Sequence, residues 1–228
     1  MIRRDYILRM IEEFMQLLAR ISSLKTGQQW NEAFASLDQG LERLLGCSAT
    51  GLARLTDTEL LARLIKGEPT QAVRDKALIV STLLKEAGDI AIQQNRLDDG
   101  HLFYLKGLLL LLDPVAWDDS LERPDYVPRV ASFLGALQDR PLPRETLVRL
   151  MRHFERTGEL AKAEDCLFAL LDAGTSGPEL VKFGEAFYER LKNHTDAQLL
   201  EGNLPRAELE SGLDEFRQKT ALLAIGSP

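Results

Sequence analysis

His101, His153 and His194, Cys47 and Cys166, and the row Arg149, Arg152 and Arg156 are the residues whose types and spacing invite chemistry. The histidines lie in different stretches, and no His-Glu-x-x-His or similar pair sets two imidazoles on one helical face, as a zinc site of that kind requires. Glu164, Asp165 and Cys166 follow His153 closely enough to sketch a ligand cluster, but without the spacing that marks a metal site. Cys166 reads better as a core thiol beside Leu167 and Leu170. Two cysteines far apart, with no Cys-x-x-Cys, build neither a disulfide framework nor a zinc knuckle, and they fit a reducing, cytoplasmic setting. "GLLLLLD" and "GTSG" lack the lysine and the strand-to-helix context of a phosphate loop, and there is no Gly-x-Ser-x-Gly elbow. The acidic run Asp113, Asp118, Asp119, Glu122 and Asp125 lacks the glycine and ligand spacing of a calcium loop, so it reads as a solvated connection. The expectation is therefore no catalytic residue, no metal and no cofactor.

Arg149, Arg152 and Arg156 remain. Spaced three and four apart, they share one stripe of a helix, with Arg144 near its start and Glu145 and Glu155 diluting it. Guanidinium groups hold carboxylates through two parallel hydrogen bonds, so such a row favours an acidic peptide or a carboxylate tail. A solvated helix face is the alternative. The stripe is a local exception in a chain with net charge -7, a balance that argues against a nucleic-acid coat.

The elements that must position these residues are helices. With 228 residues, 45% hydrophobic and 28% charged, the chain can bury a core, and it reads as a single helical-repeat domain over 1–228. Nearly every segment has a period near 3.6, with no convincing alternation at period 2. Gly46 to Gly51, "GEPT", "DPVAW", "DRPLP", "GTSGP" and "GNLP" mark the breaks, and Pro178 and Pro205 fit first turns. The opening "MIRRDYILRMIEEF" is no secretory signal, because Asp5, Arg9, Glu12 and Glu13 interrupt its apolar residues. At helical spacing Ile7, Met10, Ile11, Phe14, Leu17, Leu18, Ile21 and Leu24 form one stripe, which predicts a core-facing helix with Asp5 placed to cap it. No apolar run is long enough to span a bilayer, and "LLLLL" at 108–112 reads as a buried helix end.

Three segments share a layout: "LLARISSLKTGQQWNEAFASLDQGLERLLG", "LLKEAGDIAIQQNRLDDGHLFYLKGLLLLL" and "LVRLMRHFERTGELAKAEDCLFALLDAG". Each is a helix, a polar turn and a second helix with a small residue in its first turn: Ala33, Gly100 and Ala163. These units resemble tetratricopeptide-type repeats, best in the second, with the delayed Pro114. Gly107 stands where alanine is usual, at a propensity cost of about 1 kcal/mol. "TDTELLARLIKG" and "DYVPRVASFLGAL" read as lone helices between the hairpins. "PRAELESGLDEFRQKTALL", with Leu209, Leu213, Phe216 and Leu223 on one stripe, reads as an end cap, with "PELVKFGEAFYERLKNH" beneath it. Taken whole, the chain also resembles a bacterial family of uncharacterised proteins, a domain of unknown function, which open on an "MIRRDYILRMIEEF"-like motif and carry a segment like "FERTGELAKAEDCLFALL".

The tetratricopeptide resemblance implies that the first helix of each hairpin lines a peptide groove, which would place the arginine row there. The corresponding helix of the second hairpin offers Lys85, Glu86, Asp89 and Gln93. The lysine-and-asparagine carboxylate clamp of chaperone-binding relatives is incomplete in it, since Asp89 stands where asparagine is wanted. The function expected is a noncatalytic adaptor or scaffold for a protein or peptide partner of acidic character, with no nucleic acid and no membrane. The rivals are an enzyme or a metal- or small-molecule-dependent sensor using a cleft that spacing does not expose, and a homodimer closed by the terminal helices.

Overall fold

The computed structural model describes residues 2–68, 70–113, 116, 123–173 and 177–225, with the side chains of 2–5, 70–71 and 223–225 outside the description. Pro114, Asp118, Asp119, Glu122, the 174–176 part of "GTSGP" and the side chain of Leu223 therefore lie outside the described residues. Among the described residues there are twelve helices and no strand, so the chain is all-α. It gathers into two compact units, Met1–Pro141 and Leu142–Pro228.

The first unit holds α1 (Ile2–Thr26), α2 (Trp30–Leu45), α3 (Ala49–Arg54), α4 (Asp57–Ile65), α5 (Thr70–Gln93), α6 (Leu97–Leu112) and α7 (Val130–Leu137). The opening stretch is structure: Met10, Phe14 and Ile21 of α1 are buried, and α1 packs on α2 and α5. The helix starts at Ile2, ahead of Asp5, so Asp5 sits within its first turns and not at the capping position expected of it. Helix α5 is the spine, with Val73, Ala77, Ile79, Val80, Leu83, Leu84, Ala87, Ile90 and Ala91 all buried. Its apolar residues go most of the way round because α1, α2, α4 and α6 all pack on it. The "LLLLL" run ends α6 as expected, with Leu108, Leu110, Leu111 and Leu112 buried. "TDTELLARLIKG" and "DYVPRVASFLGAL" are the lone helices α4 and α7. Thr56 starts α4 with a capping box, its hydroxyl accepting from the Glu59 amide while the Glu59 carboxylate accepts from the Thr56 amide.

The second unit holds α8 (Arg144–Thr157), α9 (Leu160–Asp172), α10 (Pro178–Lys192), α11 (Asp196–Glu201) and α12 (Arg206–Ile225). Pro178 is in the first turn of α10. Leu209, Leu213 and Phe216 of α12 are buried, and the helix packs on α9, α10 and α11. Among the described residues no helix is long and apolar enough to cross a membrane.

One turn recurs in the three hairpins read from sequence. Gln28, Asn95 and Gly158 take left-handed backbone angles, with φ of 55°, 59° and 78°. In each case the next residue donates its amide five residues back: Gln29 to Leu24 at 2.9 Å, Arg96 to Ala91 at 2.8 Å and Glu159 to Phe154 at 2.9 Å. A fourth copy joins α11 to α12, where Asn203 has φ of 56° and the Leu204 amide donates to Leu199 at 2.9 Å. Ala33, Gly100 and Ala163 each stand five residues past the left-handed position, all buried. A Cβ on Gly100 would come within 2.7 Å of Ile92 Cδ1, which is why the smallest residue closes this hairpin. Gly107 has a reason too: its Cβ would meet Phe133 at 2.8 Å and the Ser81 carbonyl at 3.2 Å, and the Ser81 hydroxyl donates to the Gly107 carbonyl at 2.8 Å.

Candidate functional site

The arginine row lies on α8, whose Leu147, Leu150, Met151 and Phe154 are buried and whose opposite face carries the charges. Arg152 and Arg156 are exposed and Arg149 is half-buried. Helix α10 presents a neighbouring face to them. Two open hollows of 420 and 560 Å³ lie between these helices, the first lined by Arg144, Val148, Arg152, Glu179, Leu180, Lys182 and Phe183. Arg152, Glu155, Arg156, Phe183, Arg190 and His194 line the second. Because both are lined by Arg152 and Phe183, they are two halves of one groove.

On the α8 side the groove residues are Arg144, Val148, Arg152 and Arg156, one every four residues, with Glu155 beside the last of them. This is the ridge by which helices commonly pack or offer a continuous face. Arg149 belongs to the next ridge and lines neither hollow, so the structure brings Arg152 and Arg156 together, adds Arg144, and leaves Arg149 apart. The sequence reading missed the α10 side. Glu179, Phe183, Arg190 and His194 recur at intervals of four, seven and four, which is a helical stripe, but its mixed character hid it beside the apolar stripe of Leu180, Phe187, Tyr188 and Leu191.

Five cationic side chains line the groove, Arg144, Arg152, Arg156, Lys182 and Arg190, against two carboxylates. Both carboxylates are matched within it. Glu155 takes a two-pronged pair from Arg190, Nε to Oε1 at 2.5 Å and Nη2 to Oε2 at 2.9 Å, a hydrogen bond that raises the Arg190 pKa. Glu179 lies 3.6 Å from Lys182. Arg144 and Arg152, both exposed, have no ion pair among the described residues. The groove thus carries uncompensated positive charge around the half-buried Phe183 ring, and it can hold extended anionic chains with an apolar group between carboxylates.

The corresponding helix of the second hairpin commits its charged groups to internal pairs. Asp89 accepts from the Tyr104 hydroxyl at 2.9 Å and from Lys85 at 2.6 Å, and Lys25 of α1 reaches Glu86 at 2.6 Å and Asp89 at 3.3 Å. These groups tie α1, α5 and α6 together, so Asp89 serves a structural network and the carboxylate clamp is absent from this helix.

Cys166 is 8% exposed beside Leu167 and Leu170, and burial pushes its thiol up to about 12, the chemistry of an inert core residue. Among the described residues no three His, Cys, Asp or Glu side chains gather as metal ligands. One family model, described as a family of unknown function (DUF6483), matches residues 1–221. No curated protein and no solved structure matches the chain.

Proposed function

The chain belongs to DUF6483, a family of unknown function, and we propose that it is a noncatalytic cytoplasmic adaptor with tetratricopeptide-like hairpins that binds an acidic segment of another protein between α8 and α10. The observation that carries this reading is that the groove sets Arg144 and Arg152, which have no ion pair among the described residues, beside two carboxylates that are each already matched within it. In a chain of net charge -7 this patch is a local inversion of sign. An acidic segment is drawn in by the field and fixed by guanidinium–carboxylate pairs, with an apolar side chain covering Phe183.

A fluorescein-labelled hexaglutamate peptide, followed by anisotropy, tests the electrostatic half of the reading. The full chain should bind it, and more weakly as salt is raised, because exposed charges are screened over about 8 Å at physiological ionic strength. Combining Arg144→Glu with Arg152→Glu should weaken binding by about tenfold or more, since each hydrogen bond to a charged group contributes about 1.5–3 kcal/mol. Arg54→Glu, an exposed residue of the first unit, should leave it unchanged. Equal affinity for wild type and the double variant, or equal binding of hexalysine, removes the groove from the function.

A further inference from the structure

The first unit contains a hollow of a different kind. Its 390 Å³ lies between α1, α2 and α5, with Met10, Phe14, Leu17, Leu44, Ile79 and Leu83 forming the apolar part. Ile79 and Leu83 are each 1% exposed, so they form a floor. Above it the lining is cationic: Arg9 and Arg20 come from α1 and Arg43 from α2, against one carboxylate, Glu13. Arg9 and Glu13 satisfy each other at 2.9 Å. Arg20 and Arg43 are exposed and have no ion pair among the described residues. Room for the hollow depends on a glycine. Leu17 Cδ2 lies where a Cβ on Gly40 would come within 2.2 Å, so Leu17 beds into α2 instead of filling the space above it.

An apolar floor beneath two uncompensated guanidiniums is complementary to an amphiphile with an anionic head. We infer that this hollow is a binding site for a fatty acid, with its carboxylate on Arg20 and Arg43 and its hydrocarbon chain along Met10, Phe14, Ile79 and Leu83. The size agrees: 390 Å³ falls in the range of about 300–1,000 Å³ typical of ligand pockets. It amounts to about thirteen water-sized volumes of about 30 Å³, room for about a dozen chain carbons. A macromolecular partner fits less well, because the apolar floor lies at the bottom of a hollow between three helices of one unit and not on a flat patch. The site shares no residue with the α8–α10 groove, so either can fail alone.

Isothermal titration of the full chain with sodium dodecanoate, below its micelle concentration, tests the inference. One dodecanoate should bind per chain, hexanoate should bind at least about tenfold more weakly for want of buried methylenes, and dodecyltrimethylammonium should not compete. Combining Arg20→Gln with Arg43→Gln, both at exposed positions, should weaken dodecanoate by about tenfold or more. Arg54→Gln, at an exposed position that does not line the hollow, should not. Binding without a defined stoichiometry, equal binding of the cationic soap, or unchanged affinity in the double variant overturns the assignment.

Discussion

Replacing Gly184 by alanine sets two effects of known sign against each other. Alanine in a helix interior is favoured over glycine by about 1 kcal/mol, so propensity alone predicts a more stable protein. Packing predicts the reverse. A Cβ at this position would lie 2.1 Å from Cζ, 2.5 Å from Cε2 and 2.8 Å from Cε1 of Phe216. Carbon atoms rest at about 3.5–4.0 Å, so the tip of the ring must retreat by about 1.5 Å. The ring is fully buried, and the Tyr188 ring lies 5.8 Å from it, centroid to centroid, so retreat displaces α12 from α10. Overpacking of this kind costs about 1–3 kcal/mol and occasionally more. With three contacts below 3 Å the upper part of that range applies, and the expected net loss is about 2 kcal/mol.

Gly135 in α7 isolates the propensity effect, because a Cβ there meets nothing within 4 Å. Gly135→Ala should gain about 0.5–1 kcal/mol. Urea unfolding followed by far-ultraviolet circular dichroism reads both, and a 2 kcal/mol loss moves the midpoint down by about 1 M when the slope is about 2 kcal/mol/M. Shortening the ring with Phe216→Leu should then be better tolerated in the Gly184→Ala background than in wild type, with a coupling of about 0.5–3 kcal/mol. Should Gly184→Ala stabilise the protein as Gly135→Ala does, or combine additively with Phe216→Leu, the close approach of α10 and α12 is not what holds the second unit together.

Two further outcomes are expected. Burial raises the Glu164 carboxyl above its ordinary 4.5, reinforced by Asp165, Glu208 and Glu215 and opposed by the Tyr188 hydroxyl, which donates to Oε1 at 2.7 Å. A folded-state pKa above the unfolded one means the folded form holds the proton more tightly, so this contribution to stability is full below about pH 4.5 and is lost as pH rises through the folded value. Glu164→Gln keeps an acceptor for Tyr188 and removes that loss, so its urea midpoint at pH 7 should exceed wild type; a lower midpoint at pH 7 and an unchanged pH profile would show that the charge costs nothing there. Gln28 holds the left-handed angle that Asn95, Gly158 and Asn203 take in the equivalent turns, and asparagine suits that region better than a long side chain. Gln28→Asn should raise the midpoint by a few tenths of a molar unit, about 0.5 kcal/mol, and a fall would mean that the turn does not limit this hairpin.

Periodicity made the helices legible because each apolar stripe had to find a core: the α1 stripe packs on α2 and α5, and Leu108, Leu110, Leu111 and Leu112 at the end of α6 are buried. It misplaced Asp5, since a carboxylate near an apolar run resembles a cap wherever the helix really begins. Within the candidate site, Arg152 and Arg156 line the hollows and Arg149 lies on the adjoining ridge, because a single helix offers three-and-four and four-and-four rows equally. Which row faces the groove depends on where α10 lies, and no property of α8 alone specifies that. The opposing wall was invisible for the same reason: Phe183 and Arg190 form a site only once α10 is beside α8.

The recurring turn explains why the sequence repeats are weak while the turns of the hairpins are alike. What the backbone requires at each hairpin is one residue able to hold a φ near 55–80° and, five residues later, a side chain small enough for close approach. Glutamine, asparagine and glycine fill the first position of the three sequence-read hairpins, and alanine, glycine and alanine the second, so a test for identity finds little. The fourth turn keeps the left-handed asparagine but places Glu208 at the second position, and there Gly212 and Gly184 supply the small contacts instead. A Cβ on Gly212 would meet the Glu164 carboxylate at 2.1 Å and one on Gly184 the Phe216 ring, so close approach is moved to α12 against α9 and α10. The turn is kept by local backbone demand, while packing sets the remaining residues. Charged residues such as Arg144 and Arg152 meet neither demand, so neither the turns nor the core fixes their identity.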